Sequence, residues 1–234
     1  MCIVSYIPTE KGFYFTSNRD ENQLRKTLTP RTYSHGVHRL TYPKDMEKGG
    51  SWLAIHDNQN RLGCILNGKH LTEEERKKYT VSRGNILLDR LQGENPLTFD
   101  KTNLIYVAPF LYLNLVFKSS PLLSKYFWDG KRLIKEELDI NTPYIWTAPS
   151  LYDFKTTEII QQKFLSFCEN VQNIKTGNVI ELHEELKSYL PESAVRKANG
   201  NPRTTSVTHF SKLGGKQKLF YKDILADKRY NYQL

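Results

Sequence analysis

The chain has 234 residues, 34 Lys+Arg against 25 Asp+Glu, and is 38% hydrophobic with 12% aromatics. This is enough apolar material for one large domain or two small ones, and it excludes wholesale disorder. No apolar run approaches the roughly 20 residues of a membrane-spanning helix, so no transmembrane segment is expected.

The net charge of +9 points to an anionic partner, and most of the excess is local: from Arg196 to Leu234, nine basic residues against two acids leave +7. Lys216, Lys218 and Lys222 alternate with other residues across KQKLFYKDI, as on the wet face of a strand. The basic segment is therefore read as solvated strands. It carries no nucleic-acid-binding motif, and no nucleic-acid partner is expected.

In chain order, residues 2–7 (CIVSYI) and 13–17 (FYFTS) are β-branched and aromatic, and Pro8 and Lys11-Gly12 separate them. The pattern predicts a hairpin, with NRDEN ending its second strand. Residues 22–48 are polar and broken by Pro30, Gly36 and Pro43, which reads as a long loop punctuated by Gly49-Gly50. Residues 51–67, with the turn residues Asp57-Asn58-Gln59-Asn60, predict a second hairpin. After the charged segment LTEEERKKY, Ser82 is placed to cap a helix SRGNILLDRLQ that stops at Gly93, with Ile86, Leu87 and Leu91 inward.

NLIYVAPF, LYLNLVFK, KYFWDG and KRLIKEEL then read as strands, with Asp129-Gly130 a two-residue hairpin signal. Ile160, Phe164, Phe167, Cys168 and Val171 give Thr156–Val171 a helical apolar stripe. A shorter helix covers Val179–Leu190 and stops at Pro191. TTSVTHFSK and KLFYKDIL, joined at Gly214-Gly215, are the last two strands. With no polar linker, residues 1–234 read as a single α+β domain of two antiparallel sheets with helices outside, the terminal strands sharing a sheet.

Cys2, Cys64 and Cys168 are too few and too scattered for a disulfide framework. The N-terminus lacks the basic region of a secretory signal. Together these predict a reducing, cytoplasmic setting. Cys64 and Cys168 fall on apolar faces and read as core thiols. The six histidines are dispersed, so no metal site is expected. With no P-loop and no GxGxxG, no cofactor is expected either.

Position 2 is different. Removal of Met1 would leave Cys2 with a free α-amine, so that one residue supplies a nucleophile (thiol pKa about 8.5) and a base (amine pKa about 7.7–8.0). The alternative is a cysteine that merely packs in a strand. Asn18-Arg19-Asp20-Glu21 follows the strand that a hairpin returns beside Cys2. Arg19 there suits a thiolate or an oxyanion, and Asp20 suits the α-ammonium. Neighbours on a strand point to opposite faces, so a mutual Arg19–Asp20 pair is not automatic.

Met1-Cys2, Asn18-Arg19-Asp20-Glu21, Gly49-Gly50-Ser51-Trp52-Leu53, Asn67 and Ser82-Arg83-Gly84 together resemble the NRDE family, the transport and Golgi organisation type. The resemblance implies an N-terminal-nucleophile hydrolase fold, the αββα four-layer sandwich. It also implies kinship with the choloylglycine hydrolase and penicillin V acylase group of amidases.

By that resemblance Cys2 is nucleophile and base, Arg19 and Asp20 tune it, and Asn67 donates to the oxyanion. Asn18, Glu21, Trp52, Arg83 and Arg203 are substrate-binding candidates. Trp52 reads more readily as a residue packed beneath its loop, and Arg83 equally as a plain helix start. One position departs from the amidase pattern. Ala148 stands where a second oxyanion Asn is expected, leaving Thr147 or a backbone N–H to substitute.

Two functions remain open: a hydrolase or acyltransferase acting on a small-molecule amide through a Cys2 thioester after Met1 removal, or non-enzymatic carriage of a haem-like or acylated anionic lipid in the same pocket.

Overall fold

A computed structural model describes residues 3–93, 104–171, 173–190 and 202–234. Met1 and Cys2 lie outside the described residues. The chain forms two compact units, Met1–Leu24 with Ile140–Leu234 and Arg25–Asp139, each built on one antiparallel sheet.

The first unit contains β1 (Ile3–Thr9), β2 (Gly12–Asn22), β10 (Tyr144–Thr147), β11 (Pro202–Leu213), β12 (Lys216–Asp223) and β13 (Lys228–Gln233), ordered β10-β1-β2-β11-β12-β13. The expected N-terminal hairpin is present, Thr9 opposite Gly12, and the terminal strands do share a sheet through β2 and β11. Gly214 and Gly215 (φ 54° and 81°) link Leu213 to its partner Lys216. Positive φ at both turn residues matches the twist of the flanking strands. β13 is a third strand beyond the two expected at this end of the chain.

Two helices follow from the predicted stripes: α3 (Phe154–Asn170) and α4 (Thr176–Leu186). Asp153 caps α3 by accepting from the Thr156 N–H at 2.7 Å, and Ile160 and Phe164 are its buried residues. Cys168 is half-buried, and desolvation pushes its thiol up to about 12. α4 buries Val179, Leu182, His183 and Leu186, one stripe at helical spacing with an imidazole in its middle.

The second unit is a meander of seven strands in sequence order: β3 (Thr27–His35), β4 (His38–Asp45), β5 (Leu53–His56), β6 (Arg61–Asn67), β7 (Phe110–Val116), β8 (Leu122–Trp128) and β9 (Leu133–Leu138). α1 (Glu73–Lys77) is a single capped turn. α2 (Arg83–Gln92) places Ile86, Leu87, Leu88 and Leu91 in a core with Leu40, Ala54, Ile65, Phe110 and Trp128. Arg61 closes the end of α2, its guanidinium donating to the carbonyls of Arg90 (2.9 Å) and Gly93 (3.0 Å), groups a helix terminus leaves without internal partners.

Four expectations change. Residues 22–48 are not a loop but hold the β3–β4 hairpin. The register shifts between Leu28 and Arg31, so Pro30 and Pro43 sit at an irregularity where no ladder hydrogen bond is demanded. Gly36 (φ 60°) belongs to the turn between His35 and His38. NLIYVAPF is not a strand: Ile105 and Tyr106 are exposed, the Val107 N–H turns back to the Leu104 carbonyl, and β7 starts at Phe110. Asn103, which opens that segment, lies outside the described residues.

The Asp129-Gly130 hairpin closes over four residues, Trp128 pairing with Leu133, because the Asp129 carboxylate accepts from the N–H groups of Lys131 and Arg132. Finally, the histidines pair in space. His38 Nδ1 lies 3.1 Å from His56 Nε2, and His183 and His209 are close enough to interact electrostatically.

Candidate functional site

In the first unit, Asn18, Arg19 and Asp20 lie within β2 between β1 and β11, and all three are buried. β11 pairs with all three, and Ile3 of β1 pairs with Asn18 on the other side; the side chains alternate across the sheet. Ile3, to which Cys2 is joined, is the partner of Asn18 on one side and of Thr147 in β10 on the other.

The Asp20 carboxylate is held by two buried hydroxyls: Thr204 donates to Oδ1 at 2.6 Å and Tyr152 to Oδ2 at 2.9 Å. Arg19 is served by Thr205, whose hydroxyl accepts from Arg19 Nη1 (3.3 Å) and donates to the Arg19 carbonyl (3.1 Å). Thr205 is the extra residue of a β-bulge, with Thr204 opposite Asp20 and Ser206 opposite Arg19. A bulge re-aims side chains without ending the strand. Here it lets two consecutive threonines serve two consecutive residues of β2.

Asn18 faces α4. Its Nδ2 donates to the His183 carbonyl at 2.9 Å, and its Oδ1 lies 2.8 Å from His183 Nδ1, while Ser5 Oγ lies 2.7 Å from Nε2 of the same ring. Burial, with a smaller contribution from His209, lowers the His183 imidazole to about 3; burial does the same to His209. Both rings are neutral at any physiological pH. His209 Nδ1 lies 2.8 Å from Thr16 Oγ1, and its Nε2 has no hydrogen-bond partner among the described residues.

Glu21 and Arg203 are cross-strand partners at the exposed end of the β2–β11 ladder. Ala148 is fully buried, and its carbonyl accepts from the N–H groups of Leu151 and Tyr152. The Thr147 hydroxyl is 2.8 Å from that of Thr157.

The second unit holds the other candidates. Trp52 is buried just before β5. Gly50 and Gly84 sit where chain meets chain: a Cβ on Gly50 would approach the Gly84 carbonyl carbon to 2.6 Å, and one on Gly84 the Ser51 oxygen to 2.7 Å. These glycines let the Gly49–Leu53 segment lie on the first turn of α2. Arg83 Nη1 and the Gly68 N–H both donate to the Pro109 carbonyl, at 3.1 and 2.9 Å. Asn67, half-buried at the end of β6, is therefore one residue from a carbonyl that Arg83 also grips.

The structure thus groups Asn18, Arg19, Asp20, Glu21 and Arg203 in one unit, and Trp52, Asn67 and Arg83 in the other. Ser5, Tyr152, His183, Thr204 and Thr205 were missed. Their one legible signal was a lone histidine on an apolar helical stripe. Among the described residues no group of three or more His, Cys, Asp or Glu could hold a metal ion, and no described helix is long and apolar enough to cross a membrane.

The family model for transport and Golgi organisation 2 matches residues 1–202. No curated protein matches. Among solved structures, a variant of conjugated bile acid hydrolase from Clostridium perfringens is similar over 99% of this chain and 92% of its own, with 9% identity and a TM-score of 0.60. Penicillin V acylase from Agrobacterium tumefaciens is similar over 100% of this chain and 86% of its own, with 7% identity and a TM-score of 0.60. At such identities the likeness shows the fold alone. That fold is the expected α+β class of N-terminal-nucleophile hydrolases.

Proposed function

Because the chain belongs to the transport and Golgi organisation 2 family, whose match includes the Asn18–Glu21 tetrapeptide, we propose that it is a cytoplasmic N-terminal cysteine hydrolase of small-molecule amides. The carrying observation is the ordered pair of Arg19 and Asp20 beside the strand that begins at Ile3. Adjacent Cα atoms are about 3.8 Å apart, so Cys2 is covalently confined to the neighbourhood of Ile3, and Ile3 is the partner of Asn18. The proposal treats residues 1–234 as one catalytic domain.

In the proposed reaction Met1 is first removed. The Cys2 α-amine takes the thiol proton, and the thiolate attacks the amide carbonyl. The C–N bond breaks, the amine leaves with the proton from the α-ammonium, and a thioester forms. Water then attacks the thioester, releasing a carboxylic acid and restoring the thiol. Arg19 supplies positive charge beside the thiolate. Asp20, already held by Tyr152 and Thr204, orients the α-ammonium. Asn67 is assigned the oxyanion by the resemblance. Glu21, Arg203, Trp52 and Arg83 are substrate-binding candidates on the same basis.

The proposal is tested by intact mass and activity together. Met1 should be absent, an amide substrate should leave an acyl adduct on Cys2, and Cys2→Ala should abolish turnover. Asn67→Ala should slow it by about 100–1,000-fold. Retention of Met1 in an active preparation would end the α-amine mechanism.

A second reading has its own observation. The Ala148 side chain cannot donate a hydrogen bond where the resemblance places an Asn, and the Thr147 hydroxyl lies within hydrogen-bond distance of Thr157. That favours a carrier of a haem-like or acylated anionic ligand. Saturable binding of haem or acyl-CoA that survives Cys2→Ala would support it.

A further inference from the structure

Asn18 belongs to the tetrapeptide, yet its amide is turned to α4 and both of its polar atoms are within hydrogen-bond distance of His183. The hydrogen-bond chain has one consistent assignment. Asn18 Nδ2 must donate to the His183 carbonyl, since the reverse orientation would set two oxygens against each other at 2.9 Å. Oδ1 is then an acceptor, so His183 Nδ1 carries the proton. Nε2 is left with its lone pair and accepts from the Ser5 hydroxyl. One ring thereby ties β1, through Ser5, to β2, through Asn18, at the end of the hairpin that leads to Cys2.

We propose that His183 is the positioning residue of the Cys2–Arg19–Asp20 site, clamping Ser5 and Asn18 from α4 so that β1 and β2 hold their register at Ile3, the residue bonded to Cys2. The proposal rests on the Cys2 reading above. Ser5, Asn18 and His183 are all 0% exposed, so none of them meets substrate in this arrangement. Their influence on chemistry passes through the backbone.

Register is what matters here, because a slip of one residue transfers every side chain of a strand to the opposite face. A slip of β2 would take Arg19 off the face it shares with Ser206 of β11. The low proton affinity of His183, a consequence of burial, keeps the same tautomer in place across the working pH range. The second imidazole, His209, sits on the neighbouring strand with Thr16 and completes the polar layer beneath α4.

The test is alkylation of the intact protein by iodoacetamide as a function of pH, with peptide mapping to follow Cys2 separately from Cys64 and Cys168. Four proteins are compared: wild type, His183→Leu, His183→Asn and Ser5→Ala. In the wild type, Cys2 should react with a midpoint below the ordinary thiol value of about 8.5. His183→Leu should raise that midpoint by about one unit, which slows alkylation at pH 6.5 roughly tenfold. His183→Asn keeps a donor for Asn18 and should recover most of the rate, and Ser5→Ala should fall between.

A His183→Leu protein that melts earlier but keeps the wild-type Cys2 profile would show a purely structural role and overturn the proposal. If that variant does not fold, an unshifted profile in Ser5→Ala overturns it instead. A wild-type Cys2 with an ordinary midpoint would overturn both this proposal and the nucleophile reading. A lowered wild-type midpoint that none of the variants moves overturns this proposal alone.

Discussion

The six-stranded unit and the seven-stranded unit differ in how much polar chemistry they bury beside their apolar cores. Around β2 and β11 the interior holds Ser5, Thr16, Asn18, Arg19, Asp20, Thr204, Thr205, Thr208, His183 and His209. Around α2 it holds Ile86, Leu87, Leu88, Leu91 and the apolar faces of β4 to β8. Burying a polar group costs free energy unless it is hydrogen-bonded, and almost every group in the first set has a named partner. A chain accepts that cost where it needs directional bonds, and the direction here is set on Arg19 and Asp20. The second unit is held more by packing, and its buried Arg61 is spent on the end of a helix.

Acid should separate the two most strongly. His183 and His209 have folded values near 3 against an ordinary 6.5, so below pH 6.5 the unfolded chain binds protons that the native one refuses. Stability is therefore full above pH 6.5 and falls as pH drops toward 3, by up to about 2.7 kcal/mol per pH unit when both rings contribute. In the second unit, burial raises the carboxyls of Asp57 and Asp89 and lowers the imidazoles of His35 and His56, so the contributions oppose one another. Hydrogen exchange from pH 7 to 4 should show β1, β2 and β11 opening before β5 to β8. Uniform loss across both sheets would erase the distinction.

Packing should give the converse. Leu87→Ala, at a fully buried position of the second core, is expected to cost about 2–5 kcal/mol. Denaturant unfolding would show it as a fall in midpoint with the Cys2 alkylation profile unchanged. A changed profile would mean that the two units do not bury their chemistry independently. At the small end, Lys135 and Glu137 form an exposed pair at 2.6 Å on the outermost strand, β9. Lys135→Ala should leave the melting temperature of either unit unmoved, because exposed pairs are screened and entropically costly.

What the sequence made legible follows the range of each interaction. The hairpins at Lys11-Gly12 and Gly214-Gly215 and the helix after Ser82 are specified by neighbouring residues and form where expected. Ser82 makes no side-chain cap bond, however, and α3 starts at Phe154, two residues before the expected Thr156. The β3–β4 hairpin was hidden because Pro30 and Pro43 normally stop strands. Only their meeting at one irregularity, visible in the pairing of the two strands, makes them compatible with a sheet. The tetrapeptide itself was recognisable, but its division of labour was not. Asn18 meets His183 across 165 positions, and Asp20 meets Thr204 across 184. No local pattern carries information over such separations.

The bulge at Thr205 acts as a phase shifter in β11. On either side of it the strand alternates normally, but the two stretches are offset by one residue, so the spacing between Thr204 and Val207 along the chain no longer reports which face each occupies. A one-residue deletion there would restore plain alternation and leave either Arg19 or Asp20 without its threonine. The shortest possible edit to this strand, made more than 180 residues from the tetrapeptide, would thus alter the site more than many substitutions within it. Length between Pro202 and Ser206 is as much a part of the site's specification as residue type.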